Sequence, residues 1–446
     1  MLTPDEARDR AAEIVARARA AGADAADAVF SADTALDVSV RLGALEDVGR
    51  SEGVDLSLRV FVGQRSASVS TSDFADLGAL AERAVAMARE APEDPYVGLA
   101  PADRLLTGAP PQLDLDDRAG GGTEVEPAAL RALALAAEDA ARSVSGVTNS
   151  EGGGTSAARS VVALATSHGF AAGYAVTSYG LSASVLAGAG GDMQRDYAHH
   201  AARRFDMLED PAAVGRRAGE RAVARVNPGK LASGPMPVVF DPRVGSSLVG
   251  HLIGAISGSA ITRKTSFLLD ALGTAVFAPG ITIRDDPQRP QGLRSRPFDG
   301  EGLPVGSTAL VEDGMLKTWL LDSAAARQLG LSPTGHAARQ GGVTTSNVHL
   351  ENGTTDVAGL IGDIADGVYV TELIGMGVNP VTGDYSRGAA GFRIVDGAVA
   401  GPVAEFTIAG NLRQMFAALT PANDLEFRHA TNVPTIRVDG MTIASG

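Results

Sequence analysis

The chain has 446 residues, a formal net charge of −15 at pH 7, seven His and no Cys. Without cysteine it can form neither disulfides nor thiolate metal ligands, which excludes a disulfide-stabilised secreted scaffold and indicates a cytoplasmic protein. The acidic balance argues against direct nucleic-acid binding, because neutralising phosphates requires a basic surface.

Changes in composition along the chain predict an α+β fold in three domains. The N-terminal domain combines helices with strands, the central domain holds an antiparallel sheet, and the large C-terminal domain is mixed with mostly antiparallel strands. The predicted boundaries are 1–91 for the N-terminal domain, 92–127 for a Pro/Gly-rich connecting segment, 128–229 for the central Ser/Gly-rich β domain with flanking helices, and 230–446 for the C-terminal domain.

The N-terminal domain is predicted to form a helix, three strands and a second helix. Thr3 and Glu6 have the spacing of a capping box, which marks the start of the first helix. The other predicted elements are strands near Ala26–Ser31, Leu36–Leu45 and Leu56–Ser70, followed by a helix at Leu77–Glu90.

The C-terminal domain begins with a strand at 237–241 that leads into an uncharged helix at 243–262. This helix contains several Ser and one His, so it is too polar to span a membrane and is interpreted as buried. Later strands are predicted to turn at three Asp-Gly pairs, which are typical of hairpins. These pairs are Asp313-Gly314, Asp396-Gly397 and Asp439-Gly440.

Motifs for a zinc hydrolase are absent from the sequence. No His is followed by Glu, and no two His are three or four residues apart, so no helix face carries a pair of imidazole ligands. The adjacent His199 and His200 would point apart on a strand or helix. They remain open to two interpretations, a metal ligand pair or a solvated strand or helix end.

Two further enzyme motifs occur only in the wrong context or in incomplete form. Gly49-Arg50-Ser51-Glu52-Gly53 matches G-x-S-x-G, but it precedes a strand instead of following one, so it is predicted to connect two strands of a hairpin. Gly375-Met376-Gly377 lacks the third glycine of a dinucleotide-binding loop. Neither motif supports a hydrolase or a nucleotide site.

Glycines recur every four residues along the uncharged helix, at Gly250, Gly254 and Gly258. Such a face lets another backbone approach closely. Because each glycine costs about 1 kcal/mol in a helix interior, tight packing is the favoured interpretation, and a ligand site is the alternative.

A glycine-rich stretch at 377–392 contains Asp384, Tyr385 and Arg387. Polar and aromatic side chains held in a loop of this kind can present hydrogen-bond donors to a ligand. The alternative is a structural loop in which Asp384 and Arg387 pair with each other.

Several segments resemble the TldD/PmbA family, a peptidase U62-like family also labelled "modulator of DNA gyrase". They are VYVTELIGMGVNPVTGDYSRGAAGF, AEFTIAGNLRQMF and VPTIRVDGMTI in the C-terminal half and SEGVDLSLRVFVGQRSASVSTSDF near the N-terminus. The resemblance extends over nearly the whole chain and is to the PmbA (TldE) branch in particular.

In the catalytic branch of that family, HExxxH on a helix after a strand and a distant Cys bind zinc. Aligned on the helix at 243–262, the two His positions fall on Gly250 and Ala255, and the Glu position falls on His251. The resemblance therefore implies that this chain has no catalytic residue and no metal ligand of its own.

The resemblance further implies a partnership. The chain is expected to be the non-catalytic subunit of a heterodimeric zinc metallopeptidase that degrades or processes unfolded or modified peptides, with the zinc in a TldD-like partner. Glu372, Asp384, Tyr385 and Arg387 are the candidate peptide- or partner-binding residues. The alternative is a peptide-binding or regulatory protein that acts without peptidase activity. No nucleic acid and no membrane is expected to bind directly.

Overall fold

A computed structural model describes residues 2–119, 122, 124–339 and 341–445 and has the α+β fold predicted from the sequence. Three sheets of mostly antiparallel strands are surrounded by helices. Part of the predicted connecting segment, at 120, 121 and 123, lies outside the described residues.

The first sheet is formed jointly by the N-terminal and central segments. Its order is β3-β2-β1-β4-β5-β6, and every neighbouring pair is antiparallel. Its strands are β1 (Ala25–Arg41), β2 (Ala44–Val62), β3 (Arg65–Thr71), β4 (Val147–Thr166), β5 (Ala171–Ala187) and β6 (Gln194–Ala202). The pairing of β1 with β4 therefore joins two segments that the sequence analysis treats as separate.

Four helices cover one face of this sheet. They are α1 (Pro4–Ala20), α2 (Leu77–Glu90), α3 (Pro127–Arg142) and α4 (Pro211–Ala224). The capping box of α1 is confirmed, since Thr3 Oγ1 accepts from the Glu6 amide at 3.2 Å and the Glu6 carboxylate accepts from the Thr3 amide at 2.8 Å. Alternate residues of β1 face the helices, so Ala26, Ala28 and Phe30 are buried in their core.

The C-terminal domain contains the other two sheets. In chain order its strands are β7 (Gly234–Phe240), β8 (Ile283–Asp285), β9 (Thr308–Glu312), β10 (Met315–Leu316), β11 (Val348–Leu350), β12 (Asp366–Ile374), β13 (Asp384–Val395), β14 (Ala398–Asn411), β15 (Leu419–Pro421), β16 (Thr431–Asn432) and β17 (Ile436–Ser445). One sheet has the order β10-β9-β8-β11-β16 and the other β14-β13-β12-β7-β17-β15. Because β14 also pairs with β17, the six-stranded sheet of this domain closes on itself.

The predicted uninterrupted helix at 243–262 is wrong. The chain forms two helices there, and the later helices are short: α5 (Pro242–Ala255), α6 (Gly258–Thr262), α7 (Ser323–Leu329), α8 (Val357–Ile361) and α9 (Leu412–Ala417). The break has a local cause. The Gly258 amide donates to the Leu320 carbonyl at 2.7 Å instead of continuing α5, and Ser257 caps the new helix.

Two of the three predicted Asp-Gly hairpin turns are confirmed. Asp313-Gly314 connects β9 with β10, and Asp396-Gly397 connects β13 with β14, with positive φ at all four residues. Asp439-Gly440 is not a hairpin turn, because it forms a bulge within β17 where the pairing register with β7 shifts.

The G-x-S-x-G segment is also not a hairpin connection. Residues 49–53 lie within β2 and pair with β1, and the turn of this hairpin is at Leu42-Gly43. Within the described residues, no helix is both long enough and apolar enough to cross a membrane.

The packing around Gly258 gives a first prediction. A Cβ at this position would lie 2.7 Å from the Ala325 Cβ and 3.1 Å from the Leu320 carbonyl oxygen. We expect Gly258→Ala to lower the free energy of unfolding by about 1–3 kcal/mol, as overpacking does. Urea denaturation of the full chain measures this change.

The matched control is Gly250→Ala, where a Cβ meets no described atom within 4 Å. This substitution should leave stability unchanged or raise it by up to about 1 kcal/mol through helix propensity. Equal effects of the two substitutions would contradict the packing described for Gly258.

Candidate functional site

Helix α5 extends from the middle of the closed sheet. It follows β7, which pairs with β12 on one side and β17 on the other. Asp241 caps the helix by accepting from the Arg243 amide at 2.9 Å, and Pro242 occupies the first turn. A strand leading directly into a capped helix is the arrangement that the family resemblance places at its zinc site.

The glycine face of α5 is open, not packed. Gly250 and Gly254 are exposed, and a Cβ added to either would meet nothing within 4 Å among the described residues. Only Gly258, which belongs to α6, makes the predicted close contacts. The prediction of one close-packed glycine face is therefore wrong, because the chain bends between α5 and α6 and separates the three glycines.

The side chains on α5 do not fit a zinc ion. Gly250 offers no ligand atom, and Ala255 offers a buried methyl group. His251 is the single imidazole on this helix. Across the described residues, no three His, Asp or Glu side chains are grouped so that they could hold a metal ion.

Two of the predicted residues lie near His251: Tyr385 contacts its ring, and Arg387 is close enough to act on its charge. Tyr385 and Arg387 are two residues apart on β13, so both side chains point to the same face of the strand. The Tyr385 ring contacts the His251 ring edge to face, with 5.9 Å between centroids and 80° between planes. We call His251, Tyr385 and Arg387 the polar cluster.

Each member of the polar cluster has a buried polar atom that lacks a hydrogen-bond partner in the described part of the chain. These atoms are His251 Nε2, Tyr385 Oη and Arg387 Nε. Most buried polar atoms in proteins are paired, so three unpaired atoms close together are unusual. The polar cluster therefore keeps unsatisfied hydrogen-bonding groups inside the C-terminal domain.

Burial also determines the protonation states of the polar cluster. It raises the pKa of Tyr385 to about 12. Burial lowers the pKa of His251 below its usual range, and the nearby Arg387 guanidinium lowers it further. At neutral pH the cluster thus presents a neutral phenol, a neutral imidazole and a cation.

The other two predicted residues lie elsewhere. Asp384 is exposed and accepts from Thr382 Oγ1 at 2.7 Å and Asn411 Nδ2 at 3.1 Å, which keeps the pKa of its carboxyl low. It forms no pair with Arg387 within the described residues. Glu372, on β12, forms an ion pair with Arg225 at the end of α4.

An exposed apolar loop lies next to the polar cluster. It comprises the last residue of β12 and the connection to β13, and it includes Ile374, Met376 and Val381, which are 58%, 86% and 53% exposed. Val378 of this loop bridges to Tyr385, so the loop and the cluster are in contact. Exposed apolar surface of this kind is typical of a docking region.

Sequence reasoning did not include His251 among the binding residues. The signal was available, because the resemblance aligns His251 with the glutamate of the family motif. What the sequence could not show is that β13 brings Tyr385 and Arg387 against it.

The electrostatics of the polar cluster predict how His251 titrates. Its NMR-measured pKa should lie below the usual value of about 6.5, and Arg387→Gln should move it upwards by removing a neighbouring cation. His251 should therefore lower the free energy of unfolding as the pH falls from about 6.5 through its lower pKa in the folded chain. The reason is that the unfolded chain binds the proton first. An unchanged pKa of His251 in Arg387→Gln would contradict this electrostatic effect.

The unpaired hydroxyl of Tyr385 predicts an unusual effect on stability. Tyr385→Phe should raise the free energy of unfolding by up to about 1 kcal/mol, because it removes a buried group that has no partner. The control is Tyr369→Phe, since the Tyr369 hydroxyl donates to Asp241 Oδ2 at 3.3 Å. That substitution should destabilise the chain by about 1 kcal/mol in the same urea denaturation.

Family models match the chain in three consecutive parts. A model of the PmbA/TldA metallopeptidase domain 1 matches residues 26–88, the central-domain model matches 121–226, and the C-terminal-domain model matches 233–445. The family resemblance seen in the sequence is thus confirmed in all three parts of the chain.

Individual relatives extend over almost the whole chain. The Escherichia coli O157:H7 protein named metalloprotease PmbA is 38% identical over 425 residues, which cover 94% of this chain and 92% of the relative. A Haemophilus influenzae protein named metalloprotease PmbA homolog is 37% identical and covers 98% of this chain and 96% of the relative.

Solved structures share the fold. A Bacteroides thetaiotaomicron protein described as a modulator of DNA gyrase has a TM-score of 0.92 at 25% identity, with 100% of both chains covered. TldE from Thermococcus kodakarensis has a TM-score of 0.85 at 22% identity and covers 97% of this chain and 99% of its own. On these similarities, the chain belongs to the TldD/PmbA metallopeptidase family.

Proposed function

We propose that this chain is the non-catalytic subunit of a heterodimeric zinc metallopeptidase that degrades or processes unfolded or modified peptides. The observation that carries the proposal is helix α5. It retains the strand-to-helix scaffold of the family's zinc site, yet Gly250, His251 and Ala255 stand where the motif needs His, Glu and His. The zinc, and the water that it activates, would belong to a TldD-like partner.

The glycine face supports a role in peptide binding. The exposed Gly250 and Gly254 let a peptide backbone approach α5 closely. Binding through main-chain groups gives low sequence selectivity, which suits a peptidase that acts on many unfolded peptides.

The exposed apolar loop supports a partner surface. Ile374, Met376 and Val381 lie beside the polar cluster, so a partner that covers them would also approach the open face of α5. Such a partner would bring its zinc near the peptide held by this chain. The alternative is a peptide-binding or regulatory protein that acts without a peptidase.

The test is a peptidase assay on unstructured peptides. The purified chain, with or without added zinc, should give no cleavage above background. Adding a TldD-like subunit from the same organism should give cleavage that depends on both chains. Robust cleavage by this chain alone would refute the proposal.

Native co-purification separates the two candidate functions. Association with an HExxxH-bearing protein supports the silent subunit, and its loss in Met376→Asp would place the partner on the exposed apolar loop. The matched control is Met193→Asp, because Met193 is also exposed but lies before β6. If no HExxxH-bearing protein associates, the regulatory alternative is favoured.

A further inference from the structure

A groove separates the central and C-terminal domains, away from the polar cluster. It contains a cavity of about 640 Å³. One wall is formed by β6 and α4, and the other by the start of α5 and the segment 424–433. Cavities of this size at domain boundaries are common ligand sites.

Arg221 of α4 is the exception among the arginines that line this cavity. Its Nη1 donates to the Tyr197 carbonyl at 3.2 Å, and its guanidinium forms no ion pair within the described residues. The other arginines of the cavity are neutralised by Arg217–Glu209, Arg243–Asp196 and Arg428–Glu426 pairs. Arg221 therefore has donors available on the cavity side of α4.

Two histidines stand beside this cation. His199 of β6 and His429 lie with their rings 5.1 Å apart, and both line the same cavity. The His429 backbone is held by Asn432, whose Oδ1 accepts from its amide at 2.8 Å and whose Nδ2 donates to its carbonyl at 2.7 Å. Each neutral imidazole has one N–H to donate.

We propose that Arg221, His199 and His429 form a binding site for the carboxylate group of a peptide. A planar guanidinium suits a carboxylate because it can donate two parallel hydrogen bonds. Asp241 and Asp424 also line the cavity, so a singly charged carboxylate matches its surroundings better than a doubly charged phosphate. The inference rests on the proposed peptide-binding function and names a chemical feature of the peptide.

The experiment is isothermal titration calorimetry of the full chain with N-acetylated peptides of about ten residues. One peptide has a free C-terminal carboxylate and no other charge, the second is its C-terminal amide, and the third is the amide with one internal Glu. The free acid should bind about tenfold more tightly than the amide, as expected for charge-assisted hydrogen bonds. Affinity of the third peptide shows whether a side-chain carboxylate also enters the site.

Variants assign the effect to Arg221. Arg221→Gln should abolish the difference between acid and amide, while Arg221→Lys should retain part of it. The matched control is Arg216→Gln, because Arg216 is an exposed arginine of the same helix that does not line the cavity. Thermal unfolding should show that all three variants fold.

Two results would overturn the proposal. The first is equal affinity of the wild-type chain for acid and amide, which leaves the peptide-binding function intact. The second is a full acid preference in Arg221→Gln. If neither the acid nor the amide binds to the wild-type chain, both this site and peptide binding by the isolated subunit are refuted. The partnership with a zinc-bearing subunit is still tested separately by the peptidase assay.

Discussion

One buried carboxylate joins the first sheet to the C-terminal domain. Asp27 on β1 is 1% exposed and is held by Arg59 on β2, with Oδ2 2.6 Å from Arg59 Nη2, and by Arg339 of the C-terminal domain, with Oδ1 3.1 Å from Arg339 Nη2. Removing one partner of a buried ion pair typically costs about 3–5 kcal/mol. This contact joins the C-terminal domain to the face of the sheet opposite the helices.

Helix α5 shows how a fold can be retained while its chemistry changes. Its strand, its cap and its place in the closed sheet follow from Asp241, Pro242 and the pairing of β7 with β12 and β17. None of these features depends on the side chains at Gly250, His251 and Ala255. The scaffold therefore stands without the metal ligands of the family motif, and its face at Gly250 and Gly254 is open.

Prediction from sequence succeeded for features that are local. The capping box at Thr3, the helix at Leu77–Glu90 and the Asp396-Gly397 turn each depend on residues a few positions apart. It failed where distant contacts compete. The hydrogen bond from Gly258 to Leu320 breaks the helix predicted at 243–262. The sequence also did not show which strands share a sheet, such as β1 and β4.

The sequence by itself determined the family, the α+β class and the loss of the zinc motif, because these depend on which residues occur and in what order. Only the tertiary structure decided which predicted residues work together. Tyr385 and Arg387 join His251 because β13 passes beneath α5, whereas Asp384 points the other way and Glu372 pairs with Arg225. The juxtaposition of His199 with His429 likewise requires two domains to pack, which no local pattern of residues encodes.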